Sequence, residues 1–169
     1  MILLDTNVLS ALMQRAPEPA VVAWLDDQPP ESVWTTSITV FEICLGLEIL
    51  AAGKRRRLLE EAFDEVVAQD LENRVAAFDR SAADGAGRIA AEQRRAGRPV
   101  EIRDVQIAGI AFARRATLAT RNVRHFEGLG IDLVDPWSAG RPGRRPGRRA
   151  GDPDRGGSGT FVGTNPRKE

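Results

Sequence analysis

The sequence predicts an α/β layered fold around a mostly parallel sheet, and three observations carry that prediction. Ile2-Leu3-Leu4 is a continuous apolar run, the signature of a short strand buried on both faces. Short apolar runs then alternate with amphipathic stretches along the body of the chain, the rhythm of strand–helix–strand units. With 169 residues, 42% of them hydrophobic and 28% charged, the chain is large enough to bury a core as one domain.

After the first strand, residues 6–13 form a short helix and 18–28 a second. Ser32 to Thr36 has the β-branched and aromatic composition of a strand, and Ser37 is placed to cap a long helix running to about Ala52. Gly53 ends that helix, and a new one spans Lys54 to Ala68. A short strand covers Arg74 to Ala77. The next helix runs from about Arg80 to Ala96 and stops at Gly97 and Pro99, and another runs from Asp104 to Arg115. Thr117 to Thr120 and Leu133-Val134 supply the last two strands. The chain has no internal repeat.

The formal charge of zero hides a division. Residues 138–169 hold eight of the 24 basic residues and three acidic ones, a net +5, so residues 1–137 carry −5. The same 32 residues contain half of the 16 glycines and four prolines. The run RPGRRPGRR has no apolar periodicity and buries too little surface to offset the entropy of ordering. A boundary near Trp137 therefore separates a folded domain, 1–137, from a basic disordered tail, 138–169.

Several function classes are excluded by composition. No apolar run approaches the ~18 residues of a membrane span, and the opening MILLDTN lacks the basic region of a signal peptide. Cys44 is the single cysteine, which excludes an internal disulfide and fits a reducing, cytoplasmic setting. Its apolar surroundings predict a buried thiol. One histidine and one cysteine leave no spaced ligand set for zinc. His125 reads as a loop residue.

The candidate chemistry lies in three carboxylates. Asp5 is the first residue beyond the first strand, and sheets of this class place ligands beyond the carboxyl ends of their strands. It is either a helix cap or a ligand. Glu42 has Ile38, Leu45 and Ile49 as its helical neighbours, so it sits in an apolar stripe with no cation within two turns. It either pairs with a distant residue or binds a cation. Asp104 shares a helix face with Ala108, Ala111 and Phe112, and it too is a cap or a ligand; Arg103 beside it points about 100° away. If the three converge, their repulsion calls for a hard divalent cation, Mg²⁺ or Mn²⁺.

MILLDTNVLSAL, TTSITVFEICLGL, IRDVQIAGIA and TLATRNVRHFEGLGIDLVDPW together resemble a PIN-domain protein, above all the toxin subunits of VapBC-type (FitAB-like) toxin–antitoxin pairs. The resemblance covers about residues 1–137. It implies a PIN-like three-layer sandwich and Mg²⁺-dependent hydrolysis of RNA, with Asp5, Glu42 and Asp104 at the family's acidic metal-binding positions. Thr6, Asn7 and Thr120 fall at supporting positions. Asn122 falls where the family often has a fourth aspartate, which leaves the site one charge lighter. The resemblance also implies neutralisation by a small cognate antitoxin and homodimerisation, and the helix 37–52, apolar nearly all round, suits a partner-covered face.

RNA needs cations to meet its phosphates. Arg121 and Arg124 are candidates, with the Lys54-Arg55-Arg56-Arg57 run and the basic tail. Two other readings compete. An aspartyl-phosphate phosphatase would need a carboxylate at position 7, where this chain has Asn7. A PIN-fold nucleic-acid-binding or regulatory module with weakened catalysis would make Asn122 the first symptom of the loss.

Overall fold

A computed structural model describes residues 1–139. Five short strands form one sheet in the order β3-β2-β1-β4-β5: β1 (Ile2–Leu4), β2 (Val33–Thr36), β3 (Val75–Ala76), β4 (Thr117–Ala119) and β5 (Asp132–Val134). All four pairings are parallel, with Leu3 opposite both Trp34 and Leu118. The first strand of the sequence is thus the central strand of the sheet. Parallel neighbours need crossovers, and helices supply them: α1 (Thr6–Leu12), α2 (Pro19–Asp26), α3 (Ser37–Ile49), α4 (Lys54–Glu65), α5 (Arg80–Arg95), α6 (Ile102–Arg114) and α7 (Val123–Phe126), while α8 (Pro136–Ala139) follows the last strand.

The expected three layers follow from the period of two along a strand. Leu3 and Leu118 enter a core with Ala86, Ile89, Ile107 and Ile110 beneath α5 and α6. Their neighbours Leu4 and Ala119 enter a second core with Val8, Val21, Ile43 and Phe63 beneath α1 to α4. Burial on both faces explains why the strands read as continuous apolar runs. The α5–α6 pair packs through small residues: a Cβ on Gly109 would lie 2.5 Å from the Ala82 carbonyl oxygen and 2.7 Å from Ala86 Cβ.

Several local expectations are corrected. Thr36, not Ser37, caps α3, its hydroxyl accepting from the Thr39 amide at 3.0 Å, while Ser37 Oγ accepts from the Phe78 amide at 3.0 Å. That helix ends at Ile49 rather than Ala52, and Gly53 stands at the N-cap of α4 instead of closing α3. A π-helical turn, Val66–Asp70, follows α4. Cys44 is exposed, because α3 buries only Thr39, Ile43 and Leu47. Phe41, Leu45 and Ile49, spaced by four on one face, are 54%, 40% and 75% exposed, and Phe112 on α6 is 43% exposed rather than turned inward. Apolar composition alone does not tell a core face from a free one.

Among the described residues no helix is long and apolar enough to cross a membrane. The tail expected over 138–169 lies outside the described residues, apart from Ser138 and Ala139, which complete α8.

Candidate active site

The carboxyl ends of β1 and β4 lie side by side, and the site is built on that edge. Asp5 extends the ladder by one residue, its amide donating to the Ala119 carbonyl at 3.0 Å. Its Oδ1 accepts from the Thr6 amide at 2.8 Å, so Asp5 does cap α1. Its Oδ2 accepts from Thr120 Oγ1 and Asn7 Nδ2, both at 2.6 Å. The side chain is therefore a cap and a held, buried carboxylate at once, with 5% of its surface exposed.

Thr120, fully buried at the end of β4, organises the floor. Its hydroxyl also takes contacts from Asn7 Nδ2 at 3.1 Å and the Asn122 amide at 3.0 Å. Asn7 in turn accepts the Arg121 amide at 2.9 Å. Thr6, Asn7 and Thr120 thus each hydrogen-bond to Asp5, and Thr6 to Glu42 as well. Asn122 sits at the rim as the residue before α7, exposed, and its side chain makes no capping hydrogen bond.

Glu42 reaches this edge from the second turn of α3. Its Oε2 accepts from Thr6 Oγ1 at 2.5 Å, and its Oε1 stands 3.5 Å from Arg103 Nη1. Of the two readings of Glu42, the ion pair with a distant residue is the one seen here. Asp104 lies in the first turn of α6 rather than at its cap, which is Glu101. Its Oδ2 is 3.3 Å from His125 Nδ1. Sequence reasoning missed Arg103 and His125 as site neighbours. The signal for His125 was its place three residues past Asn122, on a helix that starts at the same sheet edge.

Electrostatics tie the three acids together. Burial pushes the Asp5 carboxyl above its usual value against the pull of its Thr120, Thr6 and Asn7 hydrogen bonds, and the negative charge of Glu42 pushes it further. Asp104 is raised as well: burial outweighs the attraction of His125, and Asp5 and Glu101 add to the rise. No buried side-chain nitrogen or oxygen lacks a hydrogen-bond partner among the described residues. What is left over is uncompensated negative charge.

That residue of charge, carried on carboxylate oxygens alone, fits a hard divalent cation. Among the described residues no three His, Cys, Asp or Glu side chains stand close enough to share one ion directly.

The basic candidates divide. Arg121 is exposed at the end of β4 with its guanidinium 5.3 Å from the Trp137 ring centroid. Arg124, Asp104 and His125 line a cavity of about 400 Å³ with Arg98 and Glu127. In the 54–57 run, Arg56 is engaged by Glu48 and Glu60, each at 2.6 Å, while Lys54 and Arg55 lie by Leu12 and Met13, at the end of α1 away from Asp5.

A family model described as "PIN domain" matches residues 2–130. The chain is 37% identical to the VapC ribonuclease Y4jK of Sinorhizobium fredii, covering 81% of this chain and 98% of that protein. It is 34% identical to the toxin FitB of Neisseria gonorrhoeae over 81% of this chain and 99% of the relative. Among solved structures it superimposes on a chain in the crystal structure of FitAcB from Neisseria gonorrhoeae with a TM-score of 0.73 and 34% identity, covering 81% of this chain and 99% of that one.

Proposed function

The chain belongs to the PIN-domain family, and from that premise we propose that it is a metal-dependent endoribonuclease acting as the toxin of a type II toxin–antitoxin pair. The observation that best supports the reading is the electrostatic linkage of Glu42 to Asp5 and of Asp5 to Asp104, added to the rise that burial gives the Asp5 and Asp104 carboxyls. Relatives named as a VapC ribonuclease and a toxin support the substrate class and the biological role.

Asp5 and Asp104 would hold Mg²⁺, or Mn²⁺ with the same oxygen preference, and Glu42 would reach it through water. The bound cation supplies an acidified water and offsets charge on the phosphate under attack. The chain's own residues do the rest. Thr120 and Asn7 lock the Asp5 rotamer; Thr6 fixes Glu42 where it aligns the attacking water. Asn122 offers a neutral oxygen at the rim in place of a fourth carboxylate, which favours one firmly held ion. Arg121 and Arg124 bring phosphate to an edge that would otherwise repel it.

Two protein partners follow. A small antitoxin is expected to neutralise the nuclease, and a second copy of the chain is expected to cover Phe41, Leu45 and Ile49. The cysteine content and the lack of a membrane-spanning helix among the described residues suit the cytoplasm. The test is cleavage of RNA by the purified full chain with and without Mg²⁺, and by its Asp5→Ala variant. Mg²⁺-dependent cleavage that vanishes in the variant is expected. Binding without cleavage by the wild type would favour the weakened, RNA-binding reading of the fold.

A further inference from the structure

An acidic site has to hold a polyanion, and of the cations near it Arg103 is already paired. Arg103 faces Glu42 at 3.5 Å and Glu101 at 3.8 Å. Arg121 differs: its guanidinium makes no hydrogen bond or ion pair among the described residues, and its central carbon stands over the Trp137 ring, 5.3 Å from the centroid. Both ends of this contact are anchored. The Arg121 amide is held by Asn7 Oδ1 at 2.9 Å, and Asn7 Nδ2 is held by Asp5 Oδ2 at 2.6 Å, so two hydrogen bonds separate Arg121 from the carboxylate at the centre of the site. The Trp137 amide is held by Asp135 Oδ1 at 2.9 Å, and its ring packs against the core beneath α1 to α4.

We propose that Arg121, held over the Trp137 ring, grips a phosphate of the RNA strand beside the scissile bond, with Trp137 as its positioning residue; this rests on the ribonuclease reading above. A cation–π contact uses none of the guanidinium N–H donors in a hydrogen bond, and those donors match a phosphate with two parallel hydrogen bonds. The contact also removes side-chain freedom before the RNA arrives, so less ordering is lost on binding. A lysine at 121 would keep the charge but not offer the fork.

The test uses the full chain and a fluorescein-labelled single-stranded RNA of mixed sequence. Cleavage is followed in Mg²⁺, and binding is followed by anisotropy in an Asp104→Asn background. Arg121→Ala is expected to raise KM and Kd on the order of tenfold with kcat within about twofold, and to flatten the dependence of log Kd on log salt by about 0.7. Arg121→Lys recovers little of this. Trp137→Phe keeps an aromatic face and stays near wild type. Trp137→Leu keeps apolar packing but weakens binding several-fold, and adds nothing in the Arg121→Ala background. Unchanged KM and Kd in Arg121→Ala overturn the proposal, as does a Trp137→Leu effect that persists in full without Arg121. A wild type that binds but does not cleave defeats the ribonuclease reading instead, and the binding measurements still decide the subsite.

Discussion

Arg103 Nη1 stands 3.5 Å from Glu42 Oε1, so the cation next in sequence to one site carboxylate is paired with another, 61 residues away. The pair is half-exposed and screened, which limits its strength to under about 1 kcal/mol. Its position matters more than its strength, because it subtracts positive charge from the demand that a metal would otherwise meet. Arg103→Ala is therefore expected to lower the Mg²⁺ concentration giving half-maximal cleavage by about two- to fivefold. A titration in which the requirement rises would show that Arg103 serves the substrate instead.

Asn122 is tested by restoring what its relatives' pattern implies. Asn122→Asp adds a carboxylate at the rim without disturbing the amide that donates to Thr120 at 3.0 Å. Cleavage at limiting Mg²⁺ is expected to rise several-fold. Asn122→Ala removes a side chain that makes no capping hydrogen bond and is expected to cost less than about tenfold in kcat.

Asp104 carries an opposing pair of effects. Its carboxyl is raised by burial, so the ionised form at neutral pH is held at a cost to folding. For a raised acid the sign is that metal-free stability increases as pH falls through the folded pKa. Asp104→Asn should raise Tm in EDTA by a few degrees, abolish the Tm increase that Mg²⁺ gives the wild type, and reduce cleavage by at least about a hundredfold. Equal Mg²⁺-induced stabilisation of variant and wild type in calorimetry would remove Asp104 from the metal site.

Gly109 tests the scaffold behind that carboxylate. With the Ala82 carbonyl 2.5 Å and Ala86 Cβ 2.7 Å from a Cβ at this position, Gly109→Ala must push α6 off α5. A loss of about 1–3 kcal/mol in urea unfolding is expected. Activity should fall too, because Asp104 rides on the same helix.

The free face of α3 makes a prediction about assembly. Ile49→Glu or Leu45→Glu places a charge on a surface that is already 75% or 40% exposed in the single chain, so folding should be spared. Light scattering is expected to show a dimer for the wild type and a monomer for either variant. A wild-type monomer would leave this face to the antitoxin.

Much of the layout was legible in the chain. The Ile2-Leu3-Leu4 run, Pro19 at the start of α2, and the Gly97–Pro99 stop each mark an element through local chemistry, and Asp5 follows from its place after a strand. What local chemistry does not encode is which distant groups meet. The Glu42–Arg103 and Asp104–His125 contacts depend on how α3, α6 and α7 lie together at one sheet edge. The exposure of Cys44 and Phe112 depends on which side of a wholly apolar segment the sheet occupies. Thr36 displaced Ser37 as a cap because α3 already begins at Ser37, so the last residue of β2 is also the residue that caps the helix.

Strand order has a consequence for the order in which the protein comes into being. β1 is made first yet lies between β2 and β4, and the hydroxyl that pins Asp5 belongs to Thr120, 115 residues later. While the chain is emerging from the ribosome, its first carboxylate is present but has no floor, no second strand neighbour and no Asp104. On the nuclease reading, a half-made copy is harmless to the RNA around it, and the threat begins only when translation of the domain is nearly complete. The central placement of the earliest strand thus delays completion of the site until β4 and Thr120 have been made.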